Sequence, residues 1–582
     1  MSQPMVSDRL ETRRAGRNHL VAGLPWLLAA GWAAQAALRL WLSWGQAAPS
    51  FLPDESGYLI GARWLAGGPG TDLSGYTLYP GGYSLLVAPA FLVSHDPGVV
   101  YRLVLGINAL VGAAVFPLGY LLLRRLRLAP MPALPLAWAV ALLPACTLYG
   151  VTAQSDAVLP AVVLGWLLAL DRFVGHAGPK AGVLASLLAC FAYAAHSRGA
   201  VILLVHGLVV CAYLIRGAAR GTAAVALGVT AAGGAGAVLL NARLAAALYP
   251  HGALDLGDLL WDRLTTVHGQ AWSLSGGAGQ IWAMVAATWG LGAPGLVAVG
   301  LTVFRRRTRQ ADRVMAGALL VVTLGIAYAA SAALPDEHRV GNFAYSRYLS
   351  CVALVYALIG LVVVIRSRAA ARLVAAGALL MAGTGLWVAV HGGSRLRTYT
   401  FVAWDFPEVG LLGGSWNQLH VVTTSLTTCA LLAGLAVLAR WKGPLLFGAI
   451  LIVNLSALTL IVLGLARPGA EPVARPASPR GGVAVAQTVP GAAYTPPAAR
   501  GYPAIDRIYA RLAFHVWWTR IGRFDPRRGL PGPGVCAAIV SWPAGTSAED
   551  TWPGHPADWR FAPGGPADAA QPRWVTWYAP GC

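Results

Sequence analysis

Phe51-Leu52-Pro53-Asp54-Glu55-Ser56-Gly57-Tyr58 follows the first long apolar run of the chain directly. Reading outward, that run (19–44) is preceded by Arg9, Arg13, Arg14 and Arg17, and apolar runs long enough to cross a bilayer recur after it. Hydrophobic residues fill 57% of 582 positions and the mean hydropathy is +0.60. Those values exclude a soluble globular protein. The Leu/Ala/Val runs do not alternate, which excludes a membrane barrel. The chain reads as an all-α polytopic membrane protein. Only 11% of its residues are charged, so two adjacent acids at the edge of a bilayer ask for a reason. Locally, Asp54 or Ser56 can cap a helix over Tyr58–Leu65, with Glu55 favouring its positive end. The other reading is chemistry at the membrane surface.

The formal charge of +20 does not point to nucleic acid, because the arginines cluster in short loops between apolar runs. The N-terminal run is too long for a signal peptide and lacks a clear cleavage site, so it reads as a retained span. Cys146, Cys190, Cys211, Cys351 and Cys429 lie in apolar runs as small packing residues. Cys536 and Cys582 lie in a polar tail and can pair if it faces an oxidising compartment. No CxxC or His-rich metal spacing occurs.

Candidate spans run over 19–44, 99–123, 132–149, 154–171, 182–196, 199–216, 222–241, 280–304, 314–333, 348–365, 370–391, 421–439 and 443–465, about 13 helices. If the basic N-terminus is cytoplasmic, every even-numbered span must end inside. The loops that follow those spans hold Arg124-Arg125-Leu126-Arg127, Asp171 to Lys180, Arg216 to Arg220, Arg305 to Arg313, Arg366 to Arg372, and Arg440-Trp441-Lys442. All are basic, as the positive-inside rule demands. The odd count sends the tail outside. The outer face then receives 45–98, with amphipathic stretches Tyr58–Leu65 and Tyr83–Val93 lying in the interface plane. It also receives 242–279 with the Gly-rich run Ser275-Gly276-Gly277, then Pro335 to Tyr348, and Trp404-Asp405-Phe406-Pro407-Glu408. Residues 1–466 form the membrane domain. Residues 467–582, rich in Pro, Gly and Trp, predict a small α/β extracytoplasmic domain behind a Pro-rich linker, 467–503. Strands are expected at Val483–Thr488, Val535–Trp542 and Trp574–Tyr578, and a helix at Ile505–Trp518.

A basic N-terminus, one span and an outer loop opening Asp54-Glu55 with Tyr58 three residues on resemble the GT-C superfamily, the polytopic glycosyltransferases that use polyprenyl-phosphate sugars. The likeness is nearest to the protein O-mannosyltransferase and aminoarabinose transferase-like branch, with about 13 spans and often a soluble outer domain. By resemblance, Asp54 matches the catalytic acid of the first outer loop and Glu55 the acid beside it. Asp156, in Thr152-Ala153-Gln154-Ser155-Asp156, matches an acid opening the fourth span. Arg102 matches the arginine at the outer start of the second span. His196 and Arg198 fall where a polar or basic residue faces the lipid phosphate, and Arg347-Tyr348 resembles the Arg-Tyr pair before a late span. The chain departs from the family in having no Asp-x-Asp for a metal, and its tail does not read as the β-trefoil of eukaryotic members.

The chemistry such a site requires agrees with those residue types. An acceptor hydroxyl needs a base, which a positioned carboxylate supplies. The leaving lipid phosphate needs fixed positive charge, which Arg forks supply. The expectation is an inverting glycosyltransferase of the cytoplasmic membrane. Its donor is a polyprenyl-phosphate-linked sugar, and its acceptor an extracytoplasmic glycan, lipid or protein. No cofactor, metal or nucleic acid is expected. Asp54 is the base, Glu55 and Asp156 orient the acceptor or tune that base, and Arg102, His196, Arg198, Arg347 and Tyr348 hold the phosphate. Structural readings stand beside each: a helix cap for Asp156, snorkelling for Arg102, an interfacial role for His196, and a loop strut from Arg347 to Asp336 or Glu337. His251 and His338 read as solvated loop residues. The alternatives for the whole chain are a transporter or flippase of a lipid-linked substrate, for which internal symmetry is lacking, and a non-catalytic assembly protein.

Overall fold

The computed structural model describes residues 5–46, 48–49, 53–217, 219–441, 443–465, 482–486, 521–526, 529–543, 545–564 and 573–581. Helix α1 (Met5–Leu42) leads into α2 (Asp54–Leu65), α3 (Gly81–Val87) and α4 (Pro89–Val93). Then come α5 (Pro97–Ala113), α6 (Val115–Arg125), α7 (Pro130–Val140), α8 (Pro144–Thr147), α9 (Leu159–His176), α10 (Pro179–Ala195), α11 (Gly199–Ile215) and α12 (Arg220–Leu248). They are followed by α13 (Gly257–Thr265), α14 (Val267–Ala287), α15 (Gly292–Phe304), α16 (Gln310–Ala332), α17 (Ser350–Arg366), α18 (Ala370–Gly392), α19 (Arg395–Thr398), α20 (Pro407–Gly413), α21 (Val421–Trp441) and α22 (Gly443–Leu465). Among the described residues, 7 helices are long and apolar enough to cross a membrane, or 8 if one bent pair counts as a span. The expected 13 is therefore not reached on length. Helices α10, α11 and α17 have 17 residues each, just short of a full crossing.

Two breaks separate the structure from the sequence expectation, and each has a local cause. The third apolar run bends by 73° between α7 and α8, where Pro144 cannot continue the ladder. The carbonyls freed there find side-chain donors: Asn454 Nδ2 reaches Ala139 O at 2.8 Å, and Arg39 Nη2 reaches Ala141 O at 3.0 Å. Arg39 is buried among neutral acceptors for this reason. The run expected as one span over 280–304 is two helices, α14 and α15. Trp289 and Gly290 between them take positive φ values of 54° and 82°, and the Trp289 indole donates to Asn454 Oδ1 at 2.6 Å. The run Ser275-Gly276-Gly277, expected as outer loop, is part of α14. Glycine there serves close approach: a Cβ on Gly279 would stand 1.8 Å from the Phe343 carbonyl oxygen.

Helix α2 begins at Asp54 and is buried over Glu55–Arg63, so it packs inside the protein instead of lying in an interface plane. Leu92 and Val93 at the end of α4 are 72% exposed each, while Tyr83 in α3 is buried. The tail carries a mixed sheet of β1 (Gly482–Ala486), β2 (Ile521–Phe524), β3 (Val535–Trp542), β4 (Arg560–Gly564) and β5 (Arg573–Tyr578), ordered β2-β1-β3-β5-β4. β1 is parallel to both neighbours, and β5 is antiparallel to β3 and β4. The side-chain alternation serves two faces. Val483, Val485, Ala537 and Ile539 share an apolar cluster with Ile60, Tyr76, Leu244 and Leu248. Ala484, Ala538, Val540 and Trp577 pack with Phe524 and Trp552. β2 and β4 were not expected from the sequence, and β1 falls within the stretch read as linker. The helix expected at Ile505–Trp518 lies outside the described residues. Cys536 is disulfide-bonded, Cys582 lies outside the described residues, and the five cysteines of the apolar runs are free thiols.

Candidate active site

Asp54 stands at the first position of α2, directly after the N-cap residue Pro53. Its carboxylate is engaged elsewhere. Arg347 Nη1 lies 2.7 Å from Asp54 Oδ2, and the Tyr79 hydroxyl donates to Oδ1 at 3.2 Å. Tyr79 can lie across the first turn of α2 because residue 57 is glycine; a Cβ there would stand 2.1 Å from the Tyr79 ring.

Asp156 comes from the irregular segment between α8 and α9, a 3-10 turn over Ser155–Ala157. Such backbone is tolerated at depth only where protein satisfies it. Here Asn108 Nδ2 donates to Thr152 O at 2.9 Å, and Glu55 Oε2 accepts from Ala153 N at 2.7 Å. The Asp156 carboxylate is divided between two arginines, with Arg198 Nη2 on Oδ1 and Arg347 Nε 2.8 Å from Oδ2. Burial pushes its pKa up, but Arg198 and Arg347 outweigh burial and hold it below the usual carboxylate range. Arg198, at the turn from α10 to α11, also donates to the carbonyls of Arg347 and Tyr348 at 3.1 and 3.0 Å. It thereby fixes the segment ahead of α17, with its guanidinium 5.2 Å from the Tyr348 ring centre. His196 Nδ1 accepts from Arg198 Nε at 3.3 Å; burial first, and then the Arg198 charge, hold its pKa well below the ordinary value.

Arg347 is thus the hinge of the arrangement, bridging two aspartates from separate parts of the chain. The side chains of Asp156, Arg198 and Arg347 are 0%, 5% and 6% exposed, whereas Asp54 is 25% exposed. The cluster is closed behind and open at Asp54.

The structure brings Asp54, Asp156, His196, Arg198, Arg347 and Tyr348 together. It places two expected residues elsewhere. Glu55 turns inward, accepting from the Tyr101 hydroxyl at 2.5 Å as well as from Ala153 N, and so ties α2 to α5 and to the Asp156 segment. Arg102 is on the exposed side of α5 and pairs with no carboxylate among the described residues. Glu337 pairs with Arg339 at 2.8 Å, not with Arg347. Other residues of the neighbourhood were not singled out as site residues. Tyr58 shares a hydrogen bond with Ser155 Oγ at 3.0 Å, and Tyr345 stacks on Tyr348 at 4.3 Å. Asp405 and Glu408 are buried at 1% exposure each, and burial pushes the Glu408 carboxyl up to about 7. The one sequence signal for them was a pair of acids flanking Phe406-Pro407 at the start of a short helix. Among the described residues, no group of three or more His, Cys, Asp or Glu is placed to hold a metal.

The chain is similar in structure to ArnT from Cupriavidus metallidurans solved bound to undecaprenyl phosphate, with a TM-score of 0.53 at 15% identity over 94% of this chain and 97% of that one. Its fold is that of this ArnT structure. The apo state of the same ArnT aligns with a TM-score of 0.50 at 14% identity, over 95% and 98% of the two chains. No protein-family model matches the chain, and no curated protein matches it by sequence. The likeness is therefore one of tertiary arrangement, at an identity where sequence motifs are short.

Proposed function

We propose that this protein is an inverting glycosyltransferase of the cytoplasmic membrane, moving a sugar from a polyprenyl-phosphate donor to an extracytoplasmic glycan, lipid or protein. The observation that carries this reading is the bridge Asp54–Arg347–Asp156–Arg198, a partly exposed carboxylate backed by two buried guanidiniums. The similar ArnT structure was solved with undecaprenyl phosphate, which supports a lipid phosphate as the group these arginines meet.

In the proposed reaction the donor phosphate takes Arg347 in place of Asp54, since both are anions competing for one fork. Asp54 is released beside its open face and accepts the proton of the acceptor hydroxyl. The hydroxyl oxygen forms its bond to the anomeric carbon as the carbon–oxygen bond to phosphate breaks. The bonding pair leaves on the lipid phosphate, where Arg347 and Arg198 stabilise the charge. Attack opposite the leaving group inverts the anomeric centre. Asp156 keeps both arginines aimed, which is the positioning such charge stabilisation needs. Glu55 acts through the backbone, holding α2 and the Asp156 segment in register. Tyr79 orients the Asp54 carboxylate.

The test is incubation of the purified protein with radiolabelled polyprenyl-phosphate sugars and membrane extract. Label is expected to move to an envelope component with inverted anomeric configuration. Binding of sugar lipids without any transfer, or movement of intact lipid across vesicles, would overturn this reading in favour of transport.

A further inference from the structure

The Tyr79 hydroxyl that meets Asp54 belongs to the stretch 66–80, which has no helix or strand of its own. A phenol on such a stretch keeps its place only if the backbone around it is tied to something rigid. The ties come from far along the chain, at the end of α12. Asn241, in α12, accepts from Gly81 N through its Oδ1 at 2.8 Å. Tyr249, directly after α12, donates its hydroxyl to Thr77 O at 3.0 Å and accepts from Tyr79 N at 3.3 Å. Tyr79 is thereby bracketed on both sides by side chains from one element.

The backbones of the two segments run the same way. Leu73 N donates to Leu248 O at 2.7 Å, Gly75 N to Gly252 O at 3.0 Å, and Leu254 N to Tyr76 O at 2.9 Å. Residue 81 must be glycine for this approach, since a Cβ there would stand 2.4 Å from Leu244 Cδ1. Tyr249 is 5% exposed and belongs to the apolar cluster that the bundle shares with the tail sheet, so its ring has little room to turn.

One hydroxyl acting as donor and acceptor at Thr77 O and Tyr79 N fixes two peptide planes next to the Tyr79 side chain. The contact it serves has no slack. Tyr79 Oη is 3.2 Å from Asp54 Oδ1, already beyond the usual range for O–H···O bonds, so a small drift of the 77–81 backbone would end it. Phenylalanine at 249 keeps the ring and its packing and removes only the hydroxyl. Alanine at 241 removes only the tie to Gly81.

We propose, resting on the reaction set out above, that Tyr249 and Asn241 are positioning residues for the Asp54 base. They hold the 77–81 backbone so that the Tyr79 hydroxyl keeps the carboxylate aimed.

The experiment follows label from a radiolabelled polyprenyl-phosphate sugar into membrane extract, with full-length protein and varied donor concentration. Tyr249→Phe, Asn241→Ala and Tyr79→Phe are compared with wild type, singly and with each of the first two combined with the third. Tyr213→Phe is the control, because its hydroxyl donates to Val174 O at 2.9 Å at the end of α11 remote from Arg198. Thermal melting confirms folding, and Asn241→Ala carries the same test if Tyr249→Phe does not fold. Tyr249→Phe and Asn241→Ala are each expected to lower kcat about 5- to 10-fold, the net effect of a neutral hydrogen bond. The donor KM should stay as in wild type, since Arg347 and Arg198 are untouched. On the Tyr79→Phe background either change should cost less than about 2-fold, because the relay is already cut. Tyr213→Phe should transfer at the wild-type rate. A wild-type kcat in folded Tyr249→Phe and Asn241→Ala, a rise in donor KM in its place, or losses that multiply with that of Tyr79→Phe overturns the positioning role and leaves the reaction standing. A Tyr79→Phe protein as active as wild type does the same. Absence of transfer by the wild type overturns the proposed reaction, and the positioning role with it.

Discussion

At the residue scale, the site separates groups that share a formal charge. Asp54 and Asp156 both meet Arg347, but one is a quarter exposed and the other fully enclosed. In the proposed reaction the enclosed carboxylate aims the arginines and the open one takes the proton. Asp54→Asn keeps the Tyr79 contact and removes the base, so transfer is expected to fall about 10²–10⁴-fold with donor binding little changed. Normal turnover by a folded Asp54→Asn protein would contradict the assignment. Arg347→Ala reverses that balance, weakening donor binding by about 2–5 kcal/mol, as read by titration with the lipid. It also leaves Asp156 with Arg198 alone. Glu408 gives a pH signature. Its folded pKa is raised to about 7 by burial, so its stabilising effect is complete below the unfolded carboxylate range and is lost as pH rises through 7. The expected loss is about 3 kcal/mol across that window. Melting between pH 4.5 and 8 should show a decline in the wild type that Glu408→Gln lacks, and parallel curves for the two proteins would refute it.

At the scale of elements, three of the candidate site residues are delivered by irregular backbone between helices. Asp156 sits in a buried 3-10 turn, Arg198 in the tight connection of α10 to α11, and Arg347 in the segment ahead of α17. Helices alone direct side chains sideways into neighbours or lipid, whereas ends and turns can direct several toward one point. The helix packing that supports these turns is correspondingly close. Gly279 in α14 lies against the 343–344 backbone, immediately before the Tyr345–Arg347 stretch. Gly279→Ala should therefore displace that segment, costing about 1–3 kcal/mol and lowering transfer. Gly228→Ala in α12 meets nothing within 4 Å and should be neutral or stabilise by up to about 1 kcal/mol. Equal melting temperatures for the two variants would remove Gly279 from this account.

At the scale of the whole molecule, the helical bundle and the tail sheet share one apolar cluster through Ile60, Leu244, Leu248 and the inner face of β1 and β3. The sheet therefore borders α2, the helix that carries Asp54, and is suited to shape the approach of an acceptor. The orientation that the basic loops predict is open to direct measurement. Cysteines at the exposed positions His95 and Gln418 should react with an impermeant maleimide from outside intact cells. One at exposed Gln310 should react only after permeabilisation. Outside labelling at Gln310 would invert the topology.

Composition and run length determined that the chain is a helical membrane protein, because burying apolar surface in lipid demands runs that no other class tolerates. Charge in the short loops predicted an orientation through the positive-inside bias. The resemblance to the GT-C pattern, with residue types that suit phosphate and proton transfer, pointed to Asp54, Asp156, Arg198 and Arg347. The sequence did not show that these four touch, for contact across 293 positions from Asp54 to Arg347 is a property of packing. Nor did it separate Glu55 and Arg102 from them, because one turn of helix decides whether a side chain faces the cluster, the interior or the lipid. The breaks at Pro144 and Trp289 were hidden by apolar composition that continues through both. Asp405 and Glu408 read as loop acids until tertiary structure buried them, since burial is fixed by what packs on a residue and not by its neighbours in the chain.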